Sequence, residues 1–178
     1  MSKSVLLTGL AALLLSGCAA ETSADISADT ANSGSPAFKL SGRVVDTADI
    51  ISEPVERELT EALAAFENEI GPQLVVATTP SLDGYDISTY SFDLANAWGL
   101  GSAERNDGLL VLVAPNERQV RIEVGLGLET SVKDEEASRI IQEDMLPHFR
   151  NGNYESGIVA GVDSLIDEAT TYELKEAA

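Results

Sequence analysis

Apolar positions along this chain follow two periods, and their alternation sets out the elements. Leu109 to Ala114 is an unbroken apolar run, the pattern of a strand buried on both faces. Gln119 to Val124 alternates strictly, with Val120, Ile122 and Val124 on one face and Gln119, Arg121 and Glu123 on the other. Pro115 to Arg118 between them is long enough only for a hairpin turn. Folding back the second strand is expected to bring Asp107, Glu123 and the glycine-flanked Glu129 to one end of a sheet. A second continuous apolar run, Leu74 to Thr78, predicts a central strand ended by Pro80.

Helical spacing fills the intervals. Val55, Leu59, Ala62, Leu63, Phe66 and Ile70 predict a helix opened by Ser52 as N-cap, with Pro54 in its first turn and Gly71-Pro72 as its stop. Asp86 is expected to cap a second helix with Ile87, Tyr90, Leu94, Ala97 and Trp98 inward, closed by Gly99. After the hairpin, Asp134 or Ser131 starts a helix carrying Ala137, Ile140, Ile141 and Met145, expected to halt before Pro147. Tyr154 opens a last helix with Ile158, Val162, Leu165, Ile166 and Ala169 on one side. The order is helix, strand, helix, strand, strand, helix, helix. Strands joined through a helix run parallel with a right-handed crossover, and the hairpin adds an antiparallel partner. The expected fold is therefore α/β: a small mixed β-sheet with helices on both faces.

Composition changes this picture at the N-terminus and at the surface. Thirty acids against eleven bases in 178 residues give a formal charge of −19, which repels nucleic acid and favours cations or a basic protein face. Lys3 and the apolar run Val5 to Leu15 form a secretory signal too short to span a bilayer. Leu15-Ser16-Gly17-Cys18 resembles the lipobox of bacterial lipoproteins. That resemblance implies cleavage after Gly17 and lipidation of Cys18, hence a membrane anchor facing the periplasm in the cell envelope. By the same resemblance, Ala19 stands where enteric lipoproteins retained on the inner membrane carry aspartate, which implies the outer membrane over the inner. Residues 1–17 are thus read as signal peptide and 18–40 as lipidated cysteine and tether, since Glu21 to Pro36 is too polar to order itself. Cys18 is the only cysteine and His148 the only histidine. A thiolate metal site is excluded, and a histidine-dependent nucleophile would rest on one residue at an expected helix end.

The remaining domain, residues 41–174, resembles the TPM domain of thylakoid-lumen, photosystem-repair and bacterial envelope proteins. The matching pieces are Val44-Val45-Asp46 with Ile51-Ser52, Gly71-Pro72 through Val76 and Trp98 through Gly101. Arg105 through Ala114, Val120 through Glu129, Asp134, Ile140-Ile141, Pro147 through Phe149 and Tyr154 through Gly157 complete it. The resemblance implies a compact α/β sandwich linked to divalent-cation binding, often calcium. Weak acid-phosphatase activity is attributed to some members, and assembly or repair of membrane complexes to others.

Calcium takes six to eight oxygen ligands on a backbone able to turn sharply. Asp107, Glu123 and Glu129, with glycines at 108, 125 and 127, are candidates, and Asp134 is a further one from the start of the next helix. Asp46 joins them through the family motif, although its place at the head of the first helix puts it at the opposite end of the sheet. Each has a plainer role open to it: Asp107 as a turn residue, Glu123 as partner of Arg121 or Arg105, Asp134 as an N-cap, Asp46 as a brace before the first helix. Two functions follow. One is a non-catalytic, lipid-anchored module, with calcium as its divalent cation, serving a membrane-complex protein partner. The other is a metal-assisted phosphate-ester hydrolase, with Asp107 or Asp46 activating water and Arg105 or Arg121 holding phosphate.

Overall fold

The computed structural model describes the backbone of residues 38–176 and the side chains of residues 38–170. The signal segment, Cys18 and the tether as far as residue 37 lie outside the described residues. No helix among the described residues is long and apolar enough to cross a membrane.

Four strands form one sheet in the order β1-β2-β3-β4: Val44–Asp46, Gln73–Thr78, Gly108–Ala114 and Gln119–Val124. β1 and β2 are parallel, β2 and β3 are parallel, and β4 returns antiparallel to β3 with Leu109 opposite Val124 and Leu110 opposite Glu123. The mixed sheet is as expected. The strand β1 is an addition: three residues carry too little alternation to announce a strand, and it forms by pairing with the buried edge of β2.

Alternation along the strands sends side chains into two cores. Leu74, Val76, Leu109, Val111, Val113 and Ile122 pack with helix α1 (Glu53–Glu69) and helix α5 (Tyr154–Glu176). Val75, Ala77, Leu110, Leu112 and Ala114 meet helix α2 (Ile87–Trp98) on the other face. The crossovers through α1 and α2 advance the same way across the sheet with their helices on opposite faces. They therefore have opposite hands, and one departs from the right-handed rule.

Three local expectations are corrected. Ser52 precedes α1 but makes no side-chain cap; its N–H instead donates to the Glu155 carboxylate at 2.7 Å, tying α1 to α5. Ala97 of α2 faces solvent, whereas Ser91 is buried against β4. The helix after the hairpin does not halt before Pro147. Asp134–Arg139 (α3) widens into a π-helical turn, Ile140–Met145, that leads into Leu146–Phe149 (α4) with Pro147 in its first turn. The wider turn shifts the hydrogen-bond ladder where proline has no N–H to give. It also seats Met145 beside Gly161 of α5, where a Cβ would lie 2.6 Å from the methionine side chain.

Candidate functional site

The N-terminal end of β3 is built by glycines packing on backbone. A Cβ at Gly127 would lie 1.8 Å from the Arg105 carbonyl oxygen, and one at Gly125 would lie 2.2 Å from that of Asn106. On the other side, a Cβ at Gly101 would lie 2.4 Å from the Gly108 nitrogen. Residues 105–108 thus thread between two Gly-Leu-Gly segments. The Gly125 N–H donates to the Gly108 carbonyl at 2.8 Å and the Gly127 N–H to that of Asn106 at 3.0 Å, while Asn106 holds the left-handed conformation at φ 51°.

Asp107 lies inside this knot. Its carboxylate accepts from the Ser102 N–H at 2.7 Å and from Arg105 Nε at 2.6 Å, and the residue is 4% exposed. Burial, the largest single influence, pushes its pKa up, but the hydrogen bonds from Ser102 and Arg105 together hold it below the ordinary carboxylate value. Arg105 also donates to the Gly71 carbonyl at 3.3 Å, so the pair clamps the end of α1 to the start of β3.

The five candidate acids do not converge. Asp107 turns toward Ile70, Pro72 and Leu128, on the α1 side of the sheet. Glu123 faces the α2 side, where its carboxylate accepts from Arg121 Nε at 3.1 Å and from the buried Ser91 hydroxyl at 2.9 Å. Glu129 lines the same cleft as Glu123. Asp134 opens α3 beside Glu135, Ser138 and Arg139, on an open surface. Asp46 sits at the opposite sheet end, paired in register with Thr78. It accepts from the N–H groups of Ile50 and Ile51 at 2.9 and 2.8 Å and from the Thr78 hydroxyl. It braces the turn into α1, as its plainer role anticipated. Among the described residues no three histidine, cysteine, aspartate or glutamate side chains form a group that could hold a metal ion. Two carboxylates in one cleft, one of them already accepting two hydrogen bonds, do not supply the protein oxygens of a caged calcium ion.

What the geometry does assemble is a cleft of about 320 Å³ between α2 and the β3–β4 end, continued by the turn Leu126–Leu128. Phe92, Ala95, Leu100 and Leu126 supply its apolar surface, and Glu123 and Glu129 its charge. Phe92 is 58% exposed and Leu126 73%, the two large apolar side chains left open among the described residues. Sequence reasoning missed both. Phe92 falls off the inward face of α2, and Leu126 lies between two glycines where no periodicity applies. Trp98, expected on the inward face of α2, packs edge-to-face on Phe38 at 5.5 Å and donates from Nε1 to the Phe38 carbonyl.

A family model described as the TPM domain matches residues 44–168. Three solved structures are similar. The N-terminal domain of a protein from P. gingivalis is 35% identical, with 70% of this chain and 80% of that one covered and a TM-score of 0.67. The N-terminal domain of the cg2496 protein from Corynebacterium glutamicum is 20% identical, covering 76% of this chain and 84% of that one, with a TM-score of 0.58. The BA42 protein from the psychrophilic bacterium Bizionia argentinensis is 17% identical, covering 71% and 86%, with a TM-score of 0.62. The latter two speak to fold alone. No curated protein matches the chain.

Proposed function

The chain belongs to the TPM domain family, and from that premise we propose that it is a non-catalytic docking module of the cell envelope. It is held at a membrane by lipid on Cys18 and receives, in the α2–β4 cleft, an apolar segment flanked by basic residues from a membrane-complex protein. The observation that carries this reading is the convergence of Phe92 and Leu126 on a cleft that also holds Glu123 and Glu129. Exposed apolar side chains gathered in one concave patch have the character of an interaction surface rather than of scattered surface residues. Burying either contributes about 1.5–3 kcal/mol. The two carboxylates, on a chain of charge −19, select a basic rather than an acidic partner. The acids a hydrolase would use support the same reading: Asp107 is buried in an ion pair, and Asp46 is occupied by backbone N–H groups.

The test is a photo-crosslinking residue at position 126, with position 83 on a distant turn as control, in cells making the lipid-anchored chain. A discrete protein adduct at 126, absent at 83 and lost on Phe92→Ser, is expected. For the captured segment, Leu126→Ser weakens binding by about 10-fold or more, while stability stays within about 0.5 kcal/mol because the side chain is exposed. Equal labelling at both positions, or unchanged affinity in both serine variants, sinks the reading.

A further inference from the structure

The other end of the sheet carries the opposite chemistry. A cavity of about 550 Å³ opens between the β3–β4 turn, α4 and the start of α5, lined by Arg118, Gln119, Leu146, Phe149, Arg150 and Tyr154 among others. Its size is that of a small-molecule site. In a chain with 30 acids and 11 bases, no aspartate or glutamate lines this cavity, while two arginines do. Arg43, Arg105, Arg121 and Arg139 are each ion-paired with a carboxylate. The other three arginines, Arg57, Arg118 and Arg150, have no such partner among the described residues, and two of them, Arg118 and Arg150, meet at this cavity. Arg118 also holds the left-handed conformation at φ 57°, in a turn that glycine or asparagine would occupy with less strain.

Three further features fit the cationic pair. Phe149 and Tyr154 lie with ring centroids 5.2 Å apart and, with Leu146, give the cavity an apolar wall. Tyr154 is the first residue of α5, so the positive end of a 23-residue helix lies at the same place. The Tyr154 hydroxyl reaches the Pro115 carbonyl at 3.5 Å, which joins the hairpin turn to α5 across the cavity.

We infer that this cavity is a second binding site, distinct from the docking cleft, for a small organic anion: a phosphate or carboxylate group carried on an apolar or aromatic body. The guanidinium forks of Arg118 and Arg150 hold the anionic oxygens, and Leu146, Phe149 and Tyr154 hold the body. The experiment titrates the mature full-length chain separately with phenyl phosphate, benzoate and inorganic phosphate, read by amide NMR shifts. Saturable shifts at Gln119, Arg150, Gly152 and Tyr154 are expected, with phenyl phosphate bound at least about 5-fold more tightly than inorganic phosphate because of the apolar wall. Arg118→Gln and Arg150→Gln each weaken it by about 10-fold, the scale of one lost charge-assisted bond, and Leu126→Ser leaves it unchanged. Arg118→Gly guards against a folding artefact: it relieves the turn, holds the melting temperature and still loses the ligand. Absence of saturable shifts at these amides, or equal affinity in the arginine variants, overturns the proposal. So does sedimentation with phosphatidylglycerol but not phosphatidylcholine vesicles that requires both arginines while the free probes elicit nothing, since the surface is then a membrane contact.

Discussion

Replacing Asp107 by asparagine keeps its shape and removes its charge, which makes it the most direct probe of whether this acid holds the fold together or serves a ligand. The carboxylate accepts from the Ser102 N–H at 2.7 Å in a buried setting, a charge-assisted bond worth about 1.5–3 kcal/mol. The partner Arg105 has a side chain 62% exposed, so its ion pair is screened and adds about 0.2–1 kcal/mol. Asparagine retains an acceptor for Ser102 at roughly half the strength and can present an N–H to Arg105 Nε, a donor facing a donor. The expected cost at pH 7 is about 1.5–2.5 kcal/mol for Asp107→Asn. For Asp107→Ala, which also leaves a buried N–H unsatisfied, it is about 3–4 kcal/mol. In a chain of this size each kcal/mol lowers the melting temperature by about 2–4 °C. The pH dependence has a fixed sign. The folded carboxyl is held below its unfolded value of about 3.9, so its contribution is fully present above that value and is lost as pH falls through the folded one. Wild type and Asp107→Asn therefore converge in acid and separate toward neutrality. Urea melts at pH 7 and pH 3 measure both quantities. A variant within about 0.5 kcal/mol of wild type at pH 7, or a difference that grows in acid, would refute the structural role.

Other outcomes follow from the same geometry. Gly127→Ala, whose Cβ would sit 1.8 Å from the Arg105 carbonyl oxygen, should destabilise by about 2–4 kcal/mol in a thermal melt, and a neutral result would show that residues 105–127 repack freely. Calcium at about 1 mM should raise the melting temperature by no more than about 2 °C, since a ligand near its dissociation constant contributes about 0.4 kcal/mol. Any shift should vanish in Glu129→Gln and persist in Asp107→Asn; a rise of several degrees that needs Asp107 would mean that the acids converge after all. Cys18→Ala should move the chain from the detergent to the aqueous phase on partitioning of envelope extracts, and retention in detergent would argue against a lipid anchor at that residue.

Much of the architecture was legible because its elements are strongly periodic. The run Leu109–Ala114 and the alternation Gln119–Val124 define a hairpin with little freedom of register, and Asp86 caps α2 through the Ser88 and Thr89 N–H groups as its position before Ile87 suggests. The segment around Pro147 was not legible in the same way. A proline reads as a stop, and only packing against Gly157 and Gly161 of α5 makes a π-helical turn preferable to an end. The role of the glycines was hidden too: Gly99-Leu100-Gly101 and Gly125-Leu126-Gly127 have no local signature for gripping a third strand of backbone.

The acids present the sharper lesson, because the signal that separates them was in the sequence. A four-residue turn from Pro115 to Arg118 fixes Ala114 opposite Gln119, which places Leu110 opposite Glu123 and Leu109 opposite Val124. Side chains on paired positions share a face, so Glu123 points with Leu110 toward α2. Asp107 lies two residues before Leu109 and keeps its parity, so it points toward α1. Bringing residues to one end of a sheet therefore does not bring them to one side of it. The pleat assigns Asp107 to the interior clamp with Arg105 and leaves Glu123, with Glu129 arriving from beyond the second glycine, to the cleft where Phe92 and Leu126 stand open. The same rule that divides the expected cation ligands is what gives the cleft between α2 and β4 its mixed acidic and apolar lining.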